Sequence, residues 1–145
     1  MRILVLSLLA VFAAPAFGQQ AGDIVGTWLN QDEDGKVTIY EKDGQYFGKI
    51  TWLLNDKNDD GSPRTDANNP DKSLKSRPLE GLVILKEFKF DGKTEWKGGK
   101  IYDPKKGKTY SCYMRFEGNN NTLKIRGFIG GVRSLGRTNI WTRTS

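Results

Sequence analysis

The chain has 145 residues, with 23 Lys and Arg against 17 Asp and Glu, a formal net charge of +6. It contains no histidine and a single cysteine, Cys112, which excludes a Ser-His-Asp triad, a Cys-His pair, an internal disulfide and the usual zinc sites. The modest basic excess fits a solvated surface, or contact with anionic lipid or glycan, better than nucleic acid, which an exported protein rarely meets.

Export is expected from the N-terminus. Met1-Arg2, an apolar run from Ile3 to Phe17 and the small residues Ala16 and Gly18 make a secretory signal peptide, with cleavage after Gly18. The run is too short for a bilayer span, which takes about 20 residues. Residues 19–145 hold no comparable apolar run, so one domain is expected, periplasmic or secreted, without a transmembrane segment.

Turn signals then divide the chain at short intervals: Asp34-Gly35, Asp43-Gly44, Asp91-Gly92, Gly98-Gly99, Lys106-Gly107 and Gly118-Asn119. Between them lie alternating segments rich in β-branched and aromatic residues. Eight strands are predicted, over 24–30, 36–42, 45–54, 82–90, 94–102, 108–117, 122–129 and 136–143. Lys36–Tyr40, Asp43-Gly44 and Gln45–Phe47 form the clearest hairpin. On the sixth strand Tyr110, Cys112, Met114 and Phe116 share one face. Cys112 therefore reads as a buried, inert thiol. The fourth strand has a break at Lys86, and one long polar loop, 55–77, interrupts the series. Eight short strands with tight turns predict an all-β, antiparallel up-and-down barrel. A β-sandwich is the alternative.

Within the long loop, Asp56-Lys57-Asn58-Asp59-Asp60-Gly61 matches the first half of a calcium-binding loop, with Asp56, Asn58 and Asp60 as the candidate ligands. The second half departs from the pattern, because Ala67 stands where a bidentate Glu belongs. Weak calcium binding and a plain Asx-rich turn both fit. Asp66, Asn68, Asn69, Arg77 and Glu80 form a polar group that either caps a barrel mouth, with Arg77 on a ligand, or pins the loop through an Arg77–carboxylate pair. Trp52, Trp96 and Trp141 are candidate ligand contacts or core residues. Arg126, Arg137 and Arg143, from the last two strands, are candidates for an anionic head group, with Arg126 the chosen contact. Lys97, Lys100, Lys105, Lys106 and Lys108 crowd two turns, as solvated charges or as a lipid-facing patch.

Two resemblances follow from these residues. Gly26-Thr27-Trp28 on the first strand with Arg137 on the last resembles the lipocalin and wider calycin pattern. That resemblance implies that Trp28 plugs one barrel end with Arg137 packed over its ring, a cation–π contact of about 0.5–2 kcal/mol. A longer series covers nearly all of residues 22–143. It comprises Asn68-Asn69-Pro70-Asp71, Arg77-Pro78-Leu79-Glu80-Gly81-Leu82, Trp96–Pro104, Gly107–Tyr110, Ile125–Gly130, Gly136-Arg137-Thr138 and Trp141. It resembles the domain-of-unknown-function 2147 family of exported bacterial proteins. The implied fold is a calycin-like barrel, and the family carries no established activity from which to transfer catalytic residues.

The function expected from these readings is non-enzymatic, with no cofactor beyond weak calcium. A barrel of this size holds one small apolar or anionic amphipathic molecule, or is filled by its own side chains and acts in the envelope through its surface. Interior volume decides between them: Trp52, Phe88, Trp96 and Phe116 would fill a small barrel if most of them pointed inward.

Overall fold

The computed structural model describes residues 18–145; the expected signal peptide therefore lies, except for Gly18, outside the described residues. Eight strands follow one another: β1 (Gly26–Leu29), β2 (Gly35–Lys42), β3 (Gln45–Leu53), β4 (Val83–Phe90), β5 (Glu95–Asp103), β6 (Lys108–Glu117), β7 (Asn119–Ile129) and β8 (Val132–Arg143). Each pairs antiparallel with its neighbours in sequence, and β8 returns to β1, closing a barrel. Among the described residues no helix is long and apolar enough to cross a membrane.

The local chemistry explains the turns. Asp43 and Gly44, with φ of 53° and 76°, make the two-residue connection between β2 and β3. Gly130 and Gly131, at 63° and 72°, do the same between β7 and β8. That turn makes β8 four residues longer at its start than the strand expected at 136. The extension evades alternation because Val132–Thr138 is held as part of a hairpin and not by an inward apolar face.

The core is divided along the barrel axis. One end is closed by large aromatics. Trp28 and Trp96 are fully buried and flank Phe116, with ring centroids 6.2 Å and 5.2 Å from it. Their indole nitrogens donate to the carbonyls of Ile24 (3.0 Å) and Ala21 (2.9 Å), which belong to a short 3-10 helix, Ala21–Ile24, laid across this end. Arg143 completes the plug. Its guanidinium lies 4.3 Å from the centre of the Trp28 ring and donates to the carbonyls of Asp23, Val25 and Asn120. This corrects the expectation for Arg137. Residues 137 and 143 share a strand face, and the register sets Arg143, not Arg137, opposite Trp28.

Above the plug the walls are tight where small residues demand it. A Cβ on Gly99 would fall 2.5 Å from the Phe88 ring, so only glycine lets that ring lie against β5. Beside it, β4 bulges: Glu87 has φ of 64°, and the pairing of β3 with β4 shifts register twice, at the break seen near Lys86.

Cys112 is 1% exposed, and burial drives its thiol far above the ordinary range. The native protein is therefore expected to resist alkylation by iodoacetamide at pH 8 and to take up one equivalent once unfolded in guanidinium, read by intact mass.

Candidate functional site

With Trp28, Trp96 and Phe116 gathered at one end, the other half of the barrel is lined mostly by aliphatic and polar side chains, with Tyr102, Tyr110, Phe128 and Trp141 among them. A cavity of about 1140 Å³ opens there. Val37, Ile50, Ile84, Ile101, Ile125 and Trp141 form its apolar part, and polar and charged residues of the connections surround the mouth. Gly127 widens it. A Cβ at this position would make only ordinary contacts with Ile101 and Tyr110, at 3.4 Å and 3.6 Å, so the glycine leaves space that a larger side chain would take.

The up-and-down order brings the β1–β2, β3–β4, β5–β6 and β7–β8 connections to this same end. Three of them are tied together. Lys105 on the β5–β6 turn bonds Asp34 of the β1–β2 connection at 2.8 Å and approaches Asp32 at 3.8 Å. In a ring of eight strands these two connections stand on opposite sides, so the pair spans the mouth. The hydrogen bond to Asp34 raises the Lys105 pKa, and the same bond lowers that of Asp34. Both side chains are solvated, so the tie is worth about 1 kcal/mol or less. Asn68 of the long loop donates to the carbonyls of Pro104 and Lys105 on the same turn, at 3.2 Å and 3.1 Å. Gly107 permits this approach, since a Cβ there would collide with the Asn68 carbonyl.

The fourth connection is free of these ties. It carries the exposed apolar residues Ile129, Val132 and Leu135. Beside it the barrel seam is short: β8 pairs with β1 at Arg143 and Thr142, and Thr144 and Ser145 continue the backbone bonds to Thr27 away from the mouth. Higher up, the Gln31 side chain takes the place of a strand and accepts from the Ile140 amide at 2.9 Å. Gln31 and Asp32 line the cavity on one side of this seam, and Arg137 and Asn139 on the other.

Asp66 anchors the long loop. Its carboxylate is fully buried and accepts from Tyr102 Oη (2.6 Å), Asn69 Nδ2 (2.8 Å) and both Nε (3.0 Å) and a terminal nitrogen (2.9 Å) of Arg77. Burial works to raise its pKa, but the hydrogen bonds from Tyr102, Asn69 and Arg77 and the guanidinium charge hold it below the ordinary carboxylate value. Tyr102 is pushed up to about 12, by burial first and then by its bond to Asp66. Two backbone bridges, Lys57 with Pro63 and Thr65 with Pro78, stiffen the rest of the loop.

Of the residues expected to meet a ligand, Trp141 lines the cavity and the others do not. Trp52 points outward, 36% exposed, beneath the Lys36 ammonium. Trp96 belongs to the plug. Arg77 is bound to Asp66. Arg126 faces outside, where it donates to Thr138 Oγ1 and to the carbonyls of Arg133 and Ser134. Those carbonyls lie where β8 bulges between its pairs Phe128–Gly136 and Ile129–Val132. Arg137, expected in the plug, stands instead at the mouth. In the calcium-like segment, Asn58 turns its amide nitrogen toward Ser62 and Pro63, and Asp60 accepts from the Ser62 amide. Among the described residues no three acidic, His or Cys side chains converge there or elsewhere. The wall residues Val37, Ile50, Ile84, Ile101 and Ile125 are not among the ligand contacts expected from the sequence; inward parity on their strands is the available signal.

A closed eight-stranded up-and-down barrel, plugged at one end and hollow at the other, is a lipocalin-like barrel. The chain belongs to the DUF2147 family, described as an uncharacterized protein conserved in bacteria, whose profile matches residues 26–143. It is similar in structure to protein HP1028 of Helicobacter pylori, described as belonging to the lipocalin family. The two share 26% sequence identity and superpose with a TM-score of 0.72 over 84% of this chain and 83% of the other. No curated protein matches the chain.

Proposed function

We propose that this protein is exported and binds a small apolar or amphipathic molecule, with the apolar part held between the plug and the mouth. The hollow half of the barrel carries this reading: Phe88, Trp96 and Phe116 are buried without entering it, Trp52 turns outward, and a cavity of about 1140 Å³ remains with Trp141 in its wall. Barrels of eight strands are wide enough for one small ligand, and likeness to a lipocalin-family protein agrees. Binding is favoured over catalysis because the one buried carboxylate among the described residues, Asp66, spends its oxygens on the loop. A second reading, attachment to another envelope component, draws on the exposed Ile129, Val132 and Leu135.

The test is a titration of the purified protein, stripped of bound small molecules, with the fluorescent apolar dye N-phenylnaphthylamine. Saturable one-to-one binding is expected. Gly127→Leu, which places a side chain in the cavity, is expected to weaken it by roughly tenfold or more. Binding that Gly127→Leu leaves unchanged, in a variant that melts cooperatively, would place the dye outside the barrel and refute the reading.

A further inference from the structure

We propose that the cavity takes a single-chain amphiphile with an anionic head, carboxylate or phosphate, and that Arg137 binds that head at the mouth. This rests on the barrel being a ligand site. Arg137 alternates with Asn139 and Trp141 on β8, and all three line the cavity. Trp141 lies four positions along the strand from Arg137, a distance of about 13 Å. That distance lets an alkyl chain lie along Ile125 and Trp141 while its head reaches the guanidinium.

The charge is available to a ligand. Lys105 is held by Asp34, Arg64 donates to the Asn55 carbonyl, and Lys36 sits over Trp52 on the outside. Among the described residues Arg137 has neither an ion-pair partner nor a side-chain hydrogen bond, although it is exposed at the rim of an apolar wall. The other arginines of β7 and β8 differ: Arg126 bonds two carbonyls and Thr138, Arg133 makes a two-pronged pair with Glu95, and Arg143 caps the plug. Directly across from Arg137 on β7 stands Gly127, which has no side chain to cover the guanidinium. Lys106, also on the rim, adds a second positive charge. Of the acids lining the cavity, Asp32 and Asp34 are turned to Lys105, and Asp103 accepts from the Lys105 backbone amide. A planar guanidinium suits a two-oxygen head, and its bonds to an anion are stronger than those to a neutral hydroxyl.

The test compares dodecanoate, dodecyl phosphate, dodecanol and dodecyltrimethylammonium, each titrated into the stripped protein and read by calorimetry. The two anions are expected to bind about tenfold or more tightly than the alcohol. That preference is expected to shrink as salt is raised. In Arg137→Gln the ratio of alcohol to anion Kd should fall to about one, and Arg137→Lys should keep part of it. Equal binding of alcohol and anions by the parent protein, or tighter binding of the trimethylammonium, would overturn the head-group assignment while leaving the cavity as a ligand site. An unaltered preference in Arg137→Gln would move the head elsewhere and also overturn it. Failure of all four to bind would overturn the assignment together with the ligand-site reading beneath it.

Discussion

Trp28→Ala is expected to lower the unfolding free energy by about 4 kcal/mol and the melting temperature by roughly 10–20 °C, measured by calorimetry. Three losses combine. A fully buried indole leaves a void between Phe116 and the N-terminal 3-10 helix. The Ile24 carbonyl loses its donor. Arg143 loses the ring beneath it, although its bonds to three carbonyls remain. Trp28→Phe retains most of the apolar surface and should recover more than half of the loss. An effect of Trp28→Ala below about 1 kcal/mol, the scale of an ordinary surface substitution, would mean that the aromatic plug is not what closes the barrel.

Asp66→Ala should cost about 3 kcal/mol, since a buried pair broken at one partner leaves the others unsatisfied. Tyr102, Asn69 and Arg77 lose their common acceptor; Arg77, about one-third exposed, can turn to water and moderates the loss. The pH dependence has a definite sign. With its folded pKa depressed, Asp66 contributes stability in full above the unfolded carboxylate value, about 3.9, and loses it as pH falls through the lower folded value. Asp66→Asn should flatten that acid limb as well as lower the plateau, both read from urea melts across the acid range. Tyr102 acts at the other extreme. Its contribution is complete below the ordinary phenol pKa and disappears as pH rises through about 12. A parent protein whose acid limb is matched by Asp66→Asn would show that other carboxylates dominate it.

Much of the fold could be read from turn chemistry. Asp43-Gly44 fixed the first hairpin, and inward alternation identified β6, because two-residue turns and period-two burial are local properties of the chain. The long loop was legible as polar, and the Arg77–carboxylate alternative as a pin, though not the choice of Asp66 as its partner. Trp52 shows where parity fails. Ile50 faces inward, and simple alternation would send Trp52 the same way. But Lys36 pairs with Trp52 while Val37 pairs with Ile50, so Thr51 is an extra residue on β3. That bulge turns Trp52 outward and Leu53 toward the cavity. The two arginines fail for another reason. Arg137 and Arg143 have the same parity on β8, and alternation distinguishes faces but not ends. Only the register with β1 puts Arg143 on Trp28 and leaves Arg137 at the mouth.

Mass spectrometry of organic extracts shows whether the open half of the barrel holds a small molecule. The parent protein and Gly127→Leu are purified in parallel from cells that produce them, and the extracts are compared per mole of protein. A near-stoichiometric amphiphile on the parent, strongly depleted on Gly127→Leu, is the predicted result. Identical extracts from two equally folded proteins, whether loaded or empty, would contradict it and shift attention to the exposed β7–β8 hairpin as the working surface.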